Sequence, residues 1–279
     1  MPPSRFNRDY ELVVQVSPTK AVTITPPFRM SFDVSKSTAG GLNTATISIE
    51  GMGKDTRAAL AKDNEDNTRG PIGVNLSVGY AGNLRRVFTG QLQRGSSERE
   101  GPQMVTTLDV IDGGFDHLTA FTSRTVRGGA DPVAAILQDM PNTTRGRVAP
   151  RPQLSRPTVL LGASSRLLSE QSGAGESCYI DEGQLYILGA SDVVGVSVPV
   201  VDADTGLLNT PSREQSRIEF STLFNPLLRL GGRFEMRSAN APHLNGVYKI
   251  DSMGYSGDTR GADWLQTVNG LLLPNYTVL

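Results

Sequence analysis

The sequence predicts a mainly β protein with minor α structure, in which two β-rich blocks flank a small α/β insert. Its 279 residues include 30 glycines and 17 prolines, a composition that favours many turns and short strands. Apolar and polar residues alternate with period two along most runs, as in strands that bury one face. Helical spacing is confined to a few short segments. We therefore expect most of the chain to form sheets.

The first block alternates in six runs and contains one short helix. In Phe28–Val34 the even-numbered residues are apolar and the odd-numbered residues are polar, which predicts a half-buried strand. The spacing changes only over Lys54–Lys62, where it predicts a helix. We expect the block to form a barrel or sandwich. The other strands are predicted at Leu12–Val16, Ala45–Ile49, Val74–Val78, Val87–Leu92 and Val105–Ile111.

The insert begins with a helix. Asp131 is a suitable N-cap and Pro132 a suitable first residue, so the helix is expected to run to Asp139. Pro141 then ends it. Residues 142–157 contain arginines and prolines but few apolar side chains, which indicates a linker.

Two further elements complete the insert. Ser164–Glu170 is predicted to be a second helix, with Ser164 as its cap. Cys178–Leu188 is predicted to be a hairpin that turns at Asp181–Gly183.

The last block returns to β structure. Its strand candidates are separated by turn residues such as Pro226 and the pair Asn245-Gly246. These strands are Arg217–Leu223, Arg233–Arg237, Gly246–Tyr255 and Trp264–Leu271. The predicted division is an N-terminal arm (1–9), a first β domain (10–128), a middle α/β domain (129–202) and a second β domain (203–279).

Composition excludes several function classes. The 27 Lys and Arg against 28 Asp and Glu leave a net charge of −1, which argues against an electrostatic grip on DNA. No apolar run reaches the roughly 18–20 residues of a membrane helix, and we see no secretory signal. The single Cys178 cannot form an internal disulfide, so we expect synthesis in a reducing cytoplasm.

Fragments that resemble catalytic signatures are weak. Asp204-Thr205-Gly206 matches the aspartic protease tripeptide, but Leu207 follows where a small residue is usual, and a turn is the simpler interpretation. The two histidines, His117 and His243, are far apart and no zinc motif is present. We expect no enzymatic activity, cofactor or metal. A group of arginines in and near the insert indicates either an interface or a solvated linker: Arg124, Arg127, Arg145, Arg147, Arg151 and Arg156.

Several motifs together resemble bacteriophage baseplate hub proteins. The segment Ile218–Ser238, with its Asn225-Pro226 turn and Gly231, is similar to the second tube-like domain of those hubs. Asn245–Ile250, followed by Gly257–Gly261 and Trp264, resembles their closing strands. Phe32–Ser35, Ala45–Ile49 and the Cys178–Leu188 hairpin resemble the first tube-like and middle domains. The compact form is similar to the hub of Mu-like contractile tails.

This resemblance implies two tube-like β-barrel domains and a structural role in the virion tail baseplate. It implies a homotrimeric ring that joins a sixfold tail tube, or a tube-initiator protein, to a trimeric central spike. The tape measure protein is a further expected partner, and DNA would pass through without specific binding or membrane contact. The residues expected to define the fold are Asn225, Pro226, Gly231, Gly246, Tyr248, Asp258 and Trp264.

Two alternatives remain. A β-rich receptor- or carbohydrate-binding tail module would need clustered aromatics, yet aromatic residues make up 6% of the chain and Trp264 is the single tryptophan. A homodimeric aspartic-type protease would lose its activity on Asp204→Asn, whereas a hub would assemble normally.

Overall fold

The computed structural model describes residues 7–63, 70–273 and 277–278 and confirms a mainly β chain with few helices. The predicted strands of the first block are present, and the helix predicted at Lys54–Lys62 runs over Lys54–Leu60. The elements of this part are β1 (Arg8–Ser17), β2 (Lys20–Ile24), β3 (Met30–Ser37), β4 (Thr44–Glu50), α1 (Lys54–Leu60), β5 (Gly73–Tyr80), β6 (Asn83–Glu100) and β7 (Gln103–Ile111).

The rest of the described residues form three more α-helices and many short strands. The middle elements are α2 (Gly114–Thr119), β8 (Phe121–Val126), α3 (Pro132–Leu137), β9 (Thr144–Val148), β10 (Thr158–Ala163), α4 (Ser164–Glu170), β11 (Ser177–Asp181), β12 (Gln184–Leu188), β13 (Asp192–Val193) and β14 (Val200–Val201). The last are β15 (Ser212–Glu214), β16 (Arg217–Thr222), β17 (Arg233–Met236), a 3-10 turn at Pro242–Leu244, β18 (Gly246–Asp258), β19 (Trp264–Leu272) and β20 (Thr277–Val278).

Two groups of five strands follow the same path through one large sheet. The first unit, β3 to β7, has the spatial order β3-β4-β7-β6-β5, and the second unit, β15 to β19, has the order β15-β16-β19-β18-β17. All neighbours within each unit are antiparallel. The long strand of each unit has a bulge, after Leu92 in β6 and after Ile250 in β18. The two units are therefore topological copies.

The bulges allow the two units to be matched residue by residue. Leu92 pairs with Val110 as Ile250 pairs with Gly270, so these pairs are equivalent. Following the ladders outward, Ile47 in β4 corresponds to Phe220 in β16, and both are fully buried. The two units therefore agree in strand order and also in the positions whose side chains face the core.

The two units meet through β3 and β18, which makes their sheet continuous. These strands pair antiparallel from Ser31 opposite Asp258 to Ser37 opposite Ser252. A single hydrophobic core runs through both units. The insert has a separate core, which includes Val133, Ile136 and Ile187.

The insert contains the predicted elements and some that the sequence did not reveal. The Asp131 carboxylate caps α3 by accepting a hydrogen bond from the Val133 amide at 2.9 Å, as predicted. The predicted hairpin is β11 and β12. In the chain between the first unit and this hairpin, the structure also contains α2 and a two-stranded ribbon of β8 and β10. None of these three elements was predicted.

Two predictions for the insert are wrong. Residues 142–157 are not a linker throughout, because β9 pairs in parallel with β12. The strand is mostly solvent-facing, so its polar composition hid it. Ser164 is the first residue of α4 rather than its cap; its buried hydroxyl lies 2.9 Å from that of Thr122, and the cap position is Ala163.

The predicted domain borders and the closure of each block into a barrel stay predictions. Residues 1–6 of the predicted N-terminal arm lie outside the described residues, and β1 begins at Arg8. At the border predicted after residue 128, β8 pairs with β10 of the insert.

Candidate assembly site between the two units

The β3–β18 junction ends in an ion-paired latch. The Arg29 guanidinium donates to both carboxylate oxygens of Asp258, at 3.2 and 2.7 Å, and to Glu50 at 2.9 Å. The hydrogen bond from Arg29 lowers the pKa of Asp258 to about 2. Asp258 therefore stays ionised and ties the end of β18 to the start of β3.

The loop that follows β18 forms further hydrogen bonds to the first unit, next to the ion pairs of Arg29. The Thr259 amide donates to the Met30 carbonyl at 3.0 Å, and the Thr259 hydroxyl accepts from the Met30 amide at 3.0 Å. From β1, Arg8 donates to the carbonyls of Asp258 and Gly261, both at 2.6 Å. Two strands of the N-terminal part, β1 and β3, thus hold one loop of the second unit.

Aromatic rings fill the space beneath the latch. The Trp264 ring lies 5.4 Å from Phe32 in an edge-to-face arrangement and 5.2 Å from Phe224, and the Arg8 guanidinium lies 5.5 Å above it. Gly257 leaves room for this cluster, because a Cβ there would overlap the Phe32 ring and lie 2.8 Å from Trp264. The packing requires glycine at this position.

A buried lysine joins the insert to the first unit. Lys36 in β3 is 5% exposed, and its ammonium donates to the Asp181 carboxylate at 2.8 Å. Burial is the largest single effect and lowers the pKa of Lys36, but the charges of Asp181, Tyr255 and Glu182 and the hydrogen bond to Asp181 together outweigh it, so the pKa is raised. Asn43 adds hydrogen bonds to the Ile180 carbonyl at 2.9 Å and to Asp181 at 3.2 Å.

Asp112 holds the turn between β11 and β12. Its carboxylate accepts hydrogen bonds from the amides of Glu182 and Gly183, at 2.5 and 2.9 Å. Burial and the nearby Asp181 charge raise the pKa of Asp112 to about 6. The end of β7 is therefore fixed to the hairpin of the insert.

A cavity of about 460 Å³ lies where the two units and the insert meet. Cationic and anionic side chains both line it, so its charge does not select a ligand of one sign. Its walls include Lys36, Arg86, Glu182, Tyr186, Pro226 and Tyr255.

The predicted motif residues lie around this junction. Asn225 and Pro226 form a turn on the cavity wall, in which the Asn225 side chain accepts from the Leu227 amide at 3.0 Å. Gly231 has a φ of +69°, and a Cβ there would overlap the Tyr179 hydroxyl of the insert. This glycine allows the second unit to approach the insert closely.

The other predicted residues are distributed along β18 and β19. Gly246 is the first residue of β18, opposite Met236. Tyr248 is buried, stacks 5.6 Å from the Phe234 ring and donates its hydroxyl to the Leu244 carbonyl at 2.8 Å. Asp258 belongs to the latch and Trp264 to the aromatic cluster beneath it, so the structure brings these two together and leaves Gly246 and Tyr248 inside the second unit.

Three of the six arginines in and near the insert form ion pairs with acidic side chains. Arg124 pairs with Asp139, Arg145 with Asp131, and Arg151 with Glu176 at 2.6 Å. These three stabilise the insert internally. Asp204 lies in an exposed turn after β14.

Sequence reasoning missed the residues that form the junction with the insert. Lys36 carried a usable signal, because period two places it on the same face as Phe32 and Val34, where a charged residue needs a buried partner. Asp112 carried none, and Asp181 was predicted only as a turn residue of the hairpin.

No group of metal-ligating side chains occurs in the described ranges. Among those same residues, none of the helices combines the length and apolar character that a bilayer crossing requires.

A family model described as baseplate hub gp41 matches residues 11–270. No curated protein matches the chain.

Solved structures with a similar fold come from tails and a secretion system. The 43 kDa tail protein of prophage MuSo2 from Shewanella oneidensis is 11% identical, with a TM-score of 0.61 over 94% of this chain and 98% of that one. A tail protein from Neisseria meningitidis MC58 is 11% identical, with a TM-score of 0.59 over 94% and 96%. An E. coli type VI secretion component is 10% identical, with a TM-score of 0.58 over 88% and 74%. At these identities the likeness shows the fold.

Proposed function

Because the chain belongs to the baseplate hub gp41 family, we propose that three copies form a ring at the centre of a tail baseplate. The ring adapts a sixfold tail tube, or its initiator protein, to a threefold central spike, and it lines the conduit through which DNA leaves. The coarser role follows from the family: the protein is a structural component of a tail.

The observation that carries this proposal is the repeated five-strand unit. Each chain contains two units with the same strand order and the same bulge position. Three chains would supply six such units, which can match six subunits above, while the ring keeps threefold symmetry below. A near-neutral chain also suits a conduit, since phosphate binding needs clustered positive charge.

The junction between the units supports a rigid adaptor. Seven residue pairs between β3 and β18, together with the Arg29–Asp258 latch, hold the two units in one arrangement. A ring with fixed symmetry needs such a fixed angle, because freely jointed domains would not present six equivalent contacts. We extend the proposal to the predicted domains, with the two tube-like domains at residues 10–128 and 203–279.

The copy number per tail tests this function. Peptide mass spectrometry of purified tails, scaled to the tube protein, is expected to give three copies. About six copies would indicate a tube-initiator or terminator ring instead. Absence from the particles would contradict the proposal and direct attention to binding assays on the isolated protein.

A further inference from the structure

The two units differ at one edge of their long strands. In the second unit, the outer edge of β18 from Ser252 to Asp258 is paired with β3 of the first unit. In the first unit, the equivalent edge of β6 carries a single bridge, from Lys62 to Gly95. Within residues 7–63 and 70–273, nothing pairs with the outer edge of β6 over Ser96–Glu100.

The strand that would fill this edge has a counterpart in the same chain. β15 is the second unit's equivalent of β3, and it pairs on one side with β16. Its three residues are all exposed. Through the ladders, Arg213 in β15 corresponds to Val34 in β3, because they lie opposite the equivalent residues Ile218 and Ala45.

We infer that β15 of one copy pairs with β6 of the next copy around the ring. This inference rests on the proposed trimer and repeats between chains the contact that β3 and β18 make within a chain. Val34 lies opposite Tyr255, and Ser97 is the equivalent of Tyr255. The pairing is therefore antiparallel, with Arg213 opposite Ser97, Ser212 opposite Glu98, and Glu214 opposite Ser96.

The ends of the two strands fit this register. β15 turns back at Gln215, which has a φ of 55°, so it can cover β6 only as far as Ser96. The next residue, Gly95, is the one that pairs with Lys62 of its own chain, through reciprocal backbone hydrogen bonds of 3.0 and 2.8 Å. The neighbouring copy would thus take the edge from Ser96 onward, next to the chain's own bridge at Gly95.

The length and charge of β15 are also typical of an edge strand that pairs with one specific partner. An exposed sheet edge is a template for uncontrolled pairing, and proteins limit this with short, charged edge strands. β15 has three residues, two of them charged. A head-to-tail contact of this kind closes into a ring when its rotation is right, so each copy needs one β15 and one β6 edge.

Engineered disulfides test the pairing. Directly opposite residues in antiparallel strands have Cα atoms about 4.5–5.5 Å apart, within the range that a disulfide spans. Ser97→Cys combined with Arg213→Cys, in a Cys178→Ser background, is expected to give covalent trimers in assembled tails after mild oxidation. Each single substitution should remain monomeric on a non-reducing gel.

A second pair of cysteine substitutions tests whether β15 pairs with a different edge strand. β2 lies at the opposite end of the strand order from β15, and Thr23→Cys with Arg213→Cys would cross-link only if β15 paired there. Trimers from this pair, or three copies per tail without a Ser97–Arg213 cross-link, would overturn the strand pairing and leave the proposed function intact. A copy number other than three would overturn the function itself.

If the substituted proteins fail to enter tails, cryo-electron microscopy of wild-type tails decides the same point. Sheet density that continues from β15 into β6 of the next copy supports the pairing. A gap between them overturns it.

Discussion

The first and second units share a strand order but complete their sheets differently. β3 has eight residues and alternates between buried and exposed positions, whereas its equivalent β15 has three exposed residues. β18 pairs along the outer edge of β3, whereas within the described residues β15 pairs with β16 alone. The difference shows that two units with the same strand order need not have the same free edges. The edge of β3 is paired within the chain, and the equivalent edge of β15 is available to another chain.

The interior of the two units is expected to respond alike to truncation. Ile47→Ala and Phe220→Ala remove equivalent, fully buried side chains, so each should lower the free energy of unfolding by about 3 kcal/mol. Because the sheet is continuous, both should shift one common transition. Denaturation followed by Trp264 fluorescence and by far-ultraviolet circular dichroism measures this.

Ile47→Val is the matched control, with an expected loss of about 1 kcal/mol. The comparison would break if Ile47→Ala moved the circular dichroism midpoint but not the Trp264 midpoint, because the two units would then unfold separately.

A second comparison uses equivalent positions of the two units that differ in how tightly they are packed. Gly257→Ala should cost about 2 kcal/mol, since its Cβ would overlap the Phe32 ring beside Trp264. Its equivalent in the first unit is Arg99, which is exposed, and Arg99→Ala should change stability by less than about 0.5 kcal/mol. Equal effects in thermal unfolding would contradict the assigned role of Gly257.

The latch should make the stability of the whole chain sensitive to acid. The hydrogen bond from Arg29 outweighs burial and holds the pKa of Asp258 at about 2, below its usual 3.8, so its contribution to stability is complete above about pH 4 and is lost as the pH falls towards 2. Asp258→Asn should cost about 1 kcal/mol at neutral pH. It should also flatten the dependence of the melting temperature on pH between 4 and 2.

Glu100→Gln is the matched control, since Glu100 is the exposed equivalent at the end of β6. Wild type and Asp258→Asn curves that stayed parallel down to pH 2 would show that the latch adds no acid-sensitive stability.

Local sequence patterns predicted most of the elements. Alternation located β3 and β4, and the Asp131-Pro132 pair located α3, because these signals depend only on neighbouring residues. β9 escaped because a polar edge strand resembles a linker. Ser164 was assigned as a cap because its hydroxyl could bond locally, yet it bonds to Thr122 instead.

The junction could be predicted only in part. Asp258 and Trp264 were identified by their resemblance to the hub family, but their partners Arg29 and Arg8 lie far away in the sequence and have no local pattern. The repeat was equally hidden. Ile47 and Phe220 share only an inward position, so the two units agree in register without recognisable identity.

The β3–β18 pairing also has a consequence for synthesis. The latch joins residues 229 positions apart, so the first unit leaves the ribosome long before the strand that covers its edge. At about 5–20 residues per second, this edge waits roughly 10–45 s for its partner. During that interval the nascent chain presents an uncovered sheet edge, which is a template for pairing with strands of other chains.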